Sequence, residues 1–244
     1  ILQVKNVSKS YGKQQILSDV NFSAQQGQIV GLIGPSGSGK TTIIKLIMGM
    51  ALPSSGEVEV LHQQVPNLSL LKEIGYMAQS DALYQDLTGY ENLTFFASMF
   101  LMTKKEQQQR IAYVVNLVQL ESALKKRVST YSGGMKRRLS LAVALIQNPP
   151  LLILDEPTVG IDPELRKSIW QELTRLKNEE QKTIIVTTHV MDEAEKCDVL
   201  AMIREGHVIT TGSPQKLKDD YQVTNLEEVF LKAGGVAHAD QSTS

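Results

Sequence analysis

An apolar run, a glycine-rich loop and a helix follow one another without a gap near the start of this chain. They constrain its fold more than any other feature. Residues 28–33 form the run, and Gly34-Pro35-Ser36-Gly37-Ser38-Gly39-Lys40-Thr41 fits G-x-x-x-x-G-K-[ST]. The 3.6-residue apolar repeat of a helix follows over residues 41–48. Glycines let successive backbone N–H groups turn inward, where they suit a polyphosphate. A helix beginning near Gly39 adds its positive dipole end. Lys40 would reach the β and γ phosphates, and Thr41 offers a hydroxyl to Mg²⁺. The bland alternative is a Gly/Ser-rich turn, and the correct flanking strand and helix argue against it. A phosphate loop alone does not separate kinase, GTPase, helicase and transporter ATPase. The guanine-reading N-K-x-D pattern is absent, which disfavours a GTPase.

A second feature narrows the chemistry. Leu151-Leu152-Ile153-Leu154-Asp155-Glu156 is a continuous apolar strand, as a buried parallel sheet demands, ending in two carboxylates. Asp155 suits a hydrogen bond to the water shell of Mg²⁺. Glu156 suits polarising the water that attacks a γ phosphate. Such pairs also occur as plain strand ends, and the phosphate loop elsewhere in the chain favours the functional reading.

The remaining texture is that of an α/β protein. The first thirty residues alternate apolar and polar: Leu2, Val4 and Val7, then Val20 and Phe22, read as half-buried strands with a turn at Tyr11-Gly12. Residues 57–61 and 74–78 read as further strands. Residues 80–131 change to a helical pattern, with Ile111, Val114, Val115 and Val118 at helical spacing. A helix over 132–146 follows, and this whole stretch is expected to be a helical subdomain inserted into the core. Its early basic residues, Lys136, Arg137 and Arg138, read as a solvated helix start. Asp162 is expected to cap a helix over 163–176, with Pro163 at its first position. Strands are expected over 183–187, 199–203 and 208–210, then a short helix over 226–231.

Composition sets bounds. The chain has 244 residues, 42% hydrophobic and 21% charged, enough for a buried core and unlike a disordered or collagen-like chain. The net charge of −1 gives no bulk case for nucleic acid, and none is expected as a partner. A single cysteine, Cys197, excludes an internal disulfide and a cysteine cage, and reads as inert. His62, His207 and His238 show no ligand-like spacing. No apolar run approaches the roughly 20 residues that span a bilayer. The opening residues 1–5 do not read as a signal peptide.

Tyr131-Ser132-Gly133-Gly134-Met135, shortly before the acid strand, resembles the signature motif of ABC-type ATPases. Gln79 falls where that family has its Q-loop, His189 where it has its switch histidine, and Tyr11 where it has an adenine-stacking aromatic. Val159-Gly160-Ile161-Asp162 looks like the family's D-loop. The likeness runs over roughly residues 1–232. It implies a P-loop NTPase core with a mainly parallel sheet, an N-terminal antiparallel β subdomain and the helical subdomain at 80–147. Residues 233–244 are left as a flexible tail. The resemblance further implies ATP and Mg²⁺. Tyr11, Gly34 to Thr41, Thr42 and the signature residues Ser132, Gly133 and Gly134 would contact nucleotide. Thr41, Gln79 and Asp155 would hold the metal. Lys40, Gln79, Glu156 and His189 would serve hydrolysis. It implies a head-to-tail dimer in which each signature loop faces the partner's ATP. A membrane-spanning permease would be the further partner, at the cytoplasmic face of the cell membrane. Leu83, Tyr84 and Leu87 are candidates for its docking surface.

Two departures from the family pattern stand out. Tyr131 and Met135 replace the ends of L-S-G-G-Q, and V-G-I-D replaces S-A-L-D. With Leu226-Glu227-Glu228-Val229-Phe230-Leu231, these variants are similar to the branch that exports drugs, antibiotics or other amphipathic compounds beside ABC-2-type permeases. A soluble ABC ATPase is the alternative, but its DNA-repair form carries a long coiled coil and its ribosomal form two ATPase halves. A non-hydrolysing sensor is a third reading, which intact Lys40, Asp155, Glu156 and His189 oppose.

Overall fold

The computed structural model describes residues 1–80 and 82–241, with backbone alone for 236–241. They fall into two compact units, residues 1–70 with those from 185 onward, and residues 71–184. The first unit begins with β1 (Leu2–Tyr11), β2 (Gln14–Ala24), β3 (Ile29–Ile33), α1 (Lys40–Ile47), β4 (Ser55–Val60) and β5 (Gln63–Gln64). The second holds β6 (Ile74–Met77), α2 (Gly89–Ser98), α3 (Lys104–Leu117), α4 (Gly133–Leu145), β7 (Leu151–Asp155) and α5 (Pro163–Glu180). Strand β8 (Thr183–Thr188) starts in the second unit and ends in the first. The first unit closes with α6 (Met191–Ala194), β9 (Val199–Arg204), β10 (His207–Gly212), α7 (Pro214–Tyr221) and α8 (Leu226–Gln241).

Apolar alternation builds the antiparallel sheet of the first unit, ordered β2-β1-β4-β5. Leu2, Val4 and Val7 are buried between exposed neighbours, and Leu2 pairs with Ala24 on one side and Val60 on the other. Strand β3 is buried at every residue, as a strand covered on both faces must be. It runs parallel to β9, Val30 opposite Val199 and Ile33 opposite Met202, while β10 returns antiparallel to β9. In the second unit β6 and β7 are parallel, Ile74 opposite Leu151 and Met77 opposite Leu154. The class is therefore α/β with a parallel-rich sheet and an antiparallel N-terminal sheet.

Helix starts follow their capping chemistry. Thr88 and Glu91 form a capping box on α2, and Thr103 and Glu106 repeat it on α3. Those bonds hold both carboxyls below their ordinary range. Asp162 caps α5 as expected, its Oδ1 accepting from the Leu165 N–H at 3.0 Å behind Pro163.

Some expectations need correction. The helix expected over 226–231 continues to Gln241, because Val229 and Ala233 are buried and Gly234 packs on the Arg204 side chain. Of the proposed tail, 242–244 lie outside the described residues. Arg137, expected to be solvated, is buried. Tyr84 is exposed as expected, but Leu83 and Leu87 are half-buried, and the other exposed large apolar side chains of α2 and its flanks are Tyr90, Phe95, Met99 and Leu101. No helix among the described residues is long and apolar enough to cross a membrane.

Candidate active site

In the first unit, buried β3 delivers the chain into the phosphate loop and α1 carries it away. Backbone crowding dictates the glycines. A Cβ on Gly34 would lie 2.2 Å from the Ile203 carbonyl oxygen, so no side chain fits there. Gly39 caps α1 at φ 108°, a left-handed conformation that L side chains rarely adopt. The loop is tied down by Ser38 N–H donating to the Pro35 carbonyl at 3.2 Å and Gly206 N–H donating to the Ser38 carbonyl at 3.1 Å.

Lys40 is only 6% exposed. Its Nζ donates to the carbonyls of Gly34 at 2.7 Å and Pro35 at 2.9 Å, which holds the ammonium at the centre of the loop. The Ser38 hydroxyl is buried with no hydrogen-bond partner, which is costly unless a ligand supplies one. An orphaned hydroxyl, a buried ammonium and glycine-only backbone fit a polyphosphate. Pro35, Ser36 and Gly37 are exposed at the tip, and Thr41 and Thr42 are half-buried in the first turn of α1.

Tyr11 ends β1, 49% exposed, with the Lys9 ammonium 4.8 Å from its ring centre. Its value to a base would be modest, about 0.5–1.5 kcal/mol beyond burial. Tyr11→Ala should therefore weaken ATP binding by about 2- to 10-fold without abolishing it. Calorimetric titration checks this, and an unchanged affinity would remove Tyr11 from the site. His189 is exposed directly after β8. The Thr188 hydroxyl fixes the turn around it, donating to Glu193 at 2.8 Å and accepting from the Val190 N–H at 3.0 Å.

The second unit carries the acidic residues. Asp155 is the last residue of β7 and is 2% exposed. Glu156 follows half-buried at φ 51°, left-handed although it is not glycine. Burial and the Asp155 charge both push the Tyr76 phenol up, against a smaller opposing effect of Arg137. Gln79 is exposed in the segment that leaves β6.

Ser132 caps α4, its hydroxyl accepting from the Met135 N–H at 3.2 Å. A Cβ on Gly134 would lie 3.0 Å from the Gly160 carbonyl, so the signature glycine also seats the Val159–Asp162 turn. Ser132 and Gly133 are exposed, which leaves a helix N-terminus open to an anion.

The sequence reading missed Arg137. It is 7% exposed, and its guanidinium donates to the main-chain carbonyls of Ala78, Gln79, Asp155 and Glu156. A signal existed. Arg137 shares the i, i+3, i+4, i+7 stripe with Ser140, Leu141 and Ala144, all buried.

A glycine-cradled loop with a buried lysine, and an acid-tipped buried strand, define a P-loop nucleoside triphosphatase. Residues 17–159 match the family model described as ABC transporter. The chain is 42% identical over 240 residues to the Nod factor export ATP-binding protein I of Rhizobium meliloti (strain 1021). That match covers 97% of this chain and 70% of the relative. Among solved structures, an ATP-binding subunit of an ABC transporter superposes with a TM-score of 0.89 at 28% identity, covering 96% of this chain and 99% of that one. A dimeric post-hydrolysis ATP-binding cassette bound to ADP and Pi superposes with a TM-score of 0.81 at 29% identity, covering 87% and 98%. The chain belongs to the ABC transporter family, as an ATP-binding domain that hydrolyses ATP.

Proposed function

We propose that this chain is the energy-coupling ATPase of an exporter, working as a head-to-tail dimer beside a membrane-spanning permease at the cytoplasmic face of the membrane. The observation that carries it is the likeness over 97% of the chain to an export ATP-binding protein. The dimeric cassette among its structural relatives supports the two-chain form. The exported compound is proposed to be amphipathic, as the branch likeness implies.

The site residues take distinct roles. Lys40 and the N–H groups of the loop from Gly34 to Thr42, all but Pro35, which has none, bind the β and γ phosphates, and Ser38 donates its orphaned hydroxyl. Tyr11 stacks on the adenine. Glu156 polarises the attacking water, and His189 donates to the γ phosphate. Thr41, Gln79 and Asp155 would hold Mg²⁺. A hydroxyl, an amide oxygen and a carboxylate are the hard donors that this ion takes. When bound, the ion supplies positive charge that neutralises the phosphate oxygens. The exposed N-terminus of α4, with Ser132, Gly133 and Gly134, faces a second chain's ATP. Closure over the nucleotide supplies donors and excludes water. Hydrolysis removes the γ phosphate and lets the dimer reopen.

Light scattering on Glu156→Gln tests the dimer. Mass should double only with Mg-ATP, and adding Ser132→Arg should abolish the doubling. A variant that binds ATP and stays monomeric would overturn self-dimerisation.

A further inference from the structure

The guanidinium of Arg137 joins two segments of the second unit through their main chains. Its Nη1 donates to the carbonyls of Ala78 at 2.7 Å and Gln79 at 3.0 Å. Its Nε and Nη2 donate to the Glu156 carbonyl at 3.2 and 2.7 Å, and Nη2 also meets the Asp155 carbonyl. Burying an arginine is costly, and a fork spent on carbonyls recovers that cost only when every bond is well placed. A surface lysine or water would cap two strand ends as well. The fork instead binds the two segments that carry Gln79 and Glu156.

The backbone of Glu156 gives a second, independent observation. At φ 51° it holds a left-handed conformation that non-glycine residues adopt only when the surroundings over-determine it. Two of the Arg137 bonds end on the carbonyl of this same residue.

We infer that Arg137 is a positioning residue for hydrolysis: it fixes the backbone from which Glu156 presents its carboxylate and ties it to the Gln79 segment. The inference rests on the reading of Glu156 as the group that polarises water. A displacement of the Gln79 segment pulls on the same guanidinium, and so reaches the Glu156 main chain through one rigid plane. Lysine cannot replace this link, because a point charge on a flexible stem does not span four carbonyls.

The test is steady-state ATPase on the full chain with Arg137→Lys, Glu156→Gln and the double variant. Turnover is counted per bound nucleotide, so an unfolded fraction does not register as lost kcat. Arg137→Lys should lower kcat by about 10- to 100-fold, the cost of a misplaced catalytic group. KM for ATP should stay within about 2-fold, because the phosphate loop is untouched. Single-turnover rates of the double variant should match Glu156→Gln alone, because the arginine acts through the glutamate. A kcat for Arg137→Lys within about 2-fold of the parent, or losses that multiply in the double variant, would overturn the inference. If Glu156→Gln itself turns over normally, the base assignment fails instead. Should Arg137→Lys not fold, Arg137→Gln, which keeps two amide donors, is read by the same criteria.

Discussion

Lys40→Ala is expected to remove ATPase activity while leaving the fold in place. Two effects compete. The substitution removes the lysine's bonds to the Gly34 and Pro35 carbonyls, the second of which keeps its bond from the Ser38 N–H, and deletes a buried stem, which lowers stability. Pro35 is exposed, so water can take over at its carbonyl, and the loss should be about 1–2 kcal/mol. That is a few degrees of Tm in a chain of this size. The functional loss is larger. The ammonium is the fixed positive charge at the centre of the loop, and removing one preorganised electrostatic donor costs about 10²–10³ in rate. Binding should weaken as well, because a charge-assisted bond to phosphate contributes about 1.5–3 kcal/mol. Thermal unfolding, nucleotide titration and phosphate release on one preparation separate the two effects. Unchanged ATPase activity would refute the phosphate-loop assignment. A collapse of Tm by tens of degrees would show that Lys40 is chiefly structural.

Local chemistry explains which parts of the molecule were legible in the sequence. The phosphate loop was, because φ 108° at Gly39 and the close approach at Gly34 force glycine at those positions. Strand β7 was, because a strand buried at every residue reads as an unbroken apolar run. The cap at Asp162-Pro163 was, because capping is decided within four residues. Properties set by distant contacts were not. Helix α8 passes Gly234 and Gly235, which helix propensity disfavours. Its contact with Arg204, from a strand far away in sequence, overrides that preference. The basic run at Lys136 to Arg138 looked solvated because charge outweighed periodicity in the reading. Its partners at Ala78 and Glu156 are long-range and cannot be seen from the helix alone. The left-handed backbone of Glu156 was equally hidden, since glutamate does not signal it.

Glu156→Gln should keep ATP binding and cut turnover by about 10²–10⁴, the usual contribution of a positioned general base. The substitution changes one oxygen to an amide and keeps the side-chain length. Arg137 donates to the main-chain carbonyl of residue 156, which the substitution leaves in place, so those bonds survive the change. The backbone strain at φ 51° survives too, because glutamine is no better suited to it than glutamate. Thermal unfolding measured beside turnover separates any change in stability from the effect of the missing carboxylate on rate. Glu156→Asp is the complementary variant: it keeps the charge and withdraws it by one methylene. If position governs, its rate should also fall by about 10²-fold. If charge alone governs, it should stay close to the parent. Rapid-quench single-turnover measurement with prebound ATP isolates this step from binding and product release. Near-normal turnover in Glu156→Gln would move the base role to another group. A fall in nucleotide affinity matching the fall in rate would make Glu156 a binding residue instead of a catalytic one.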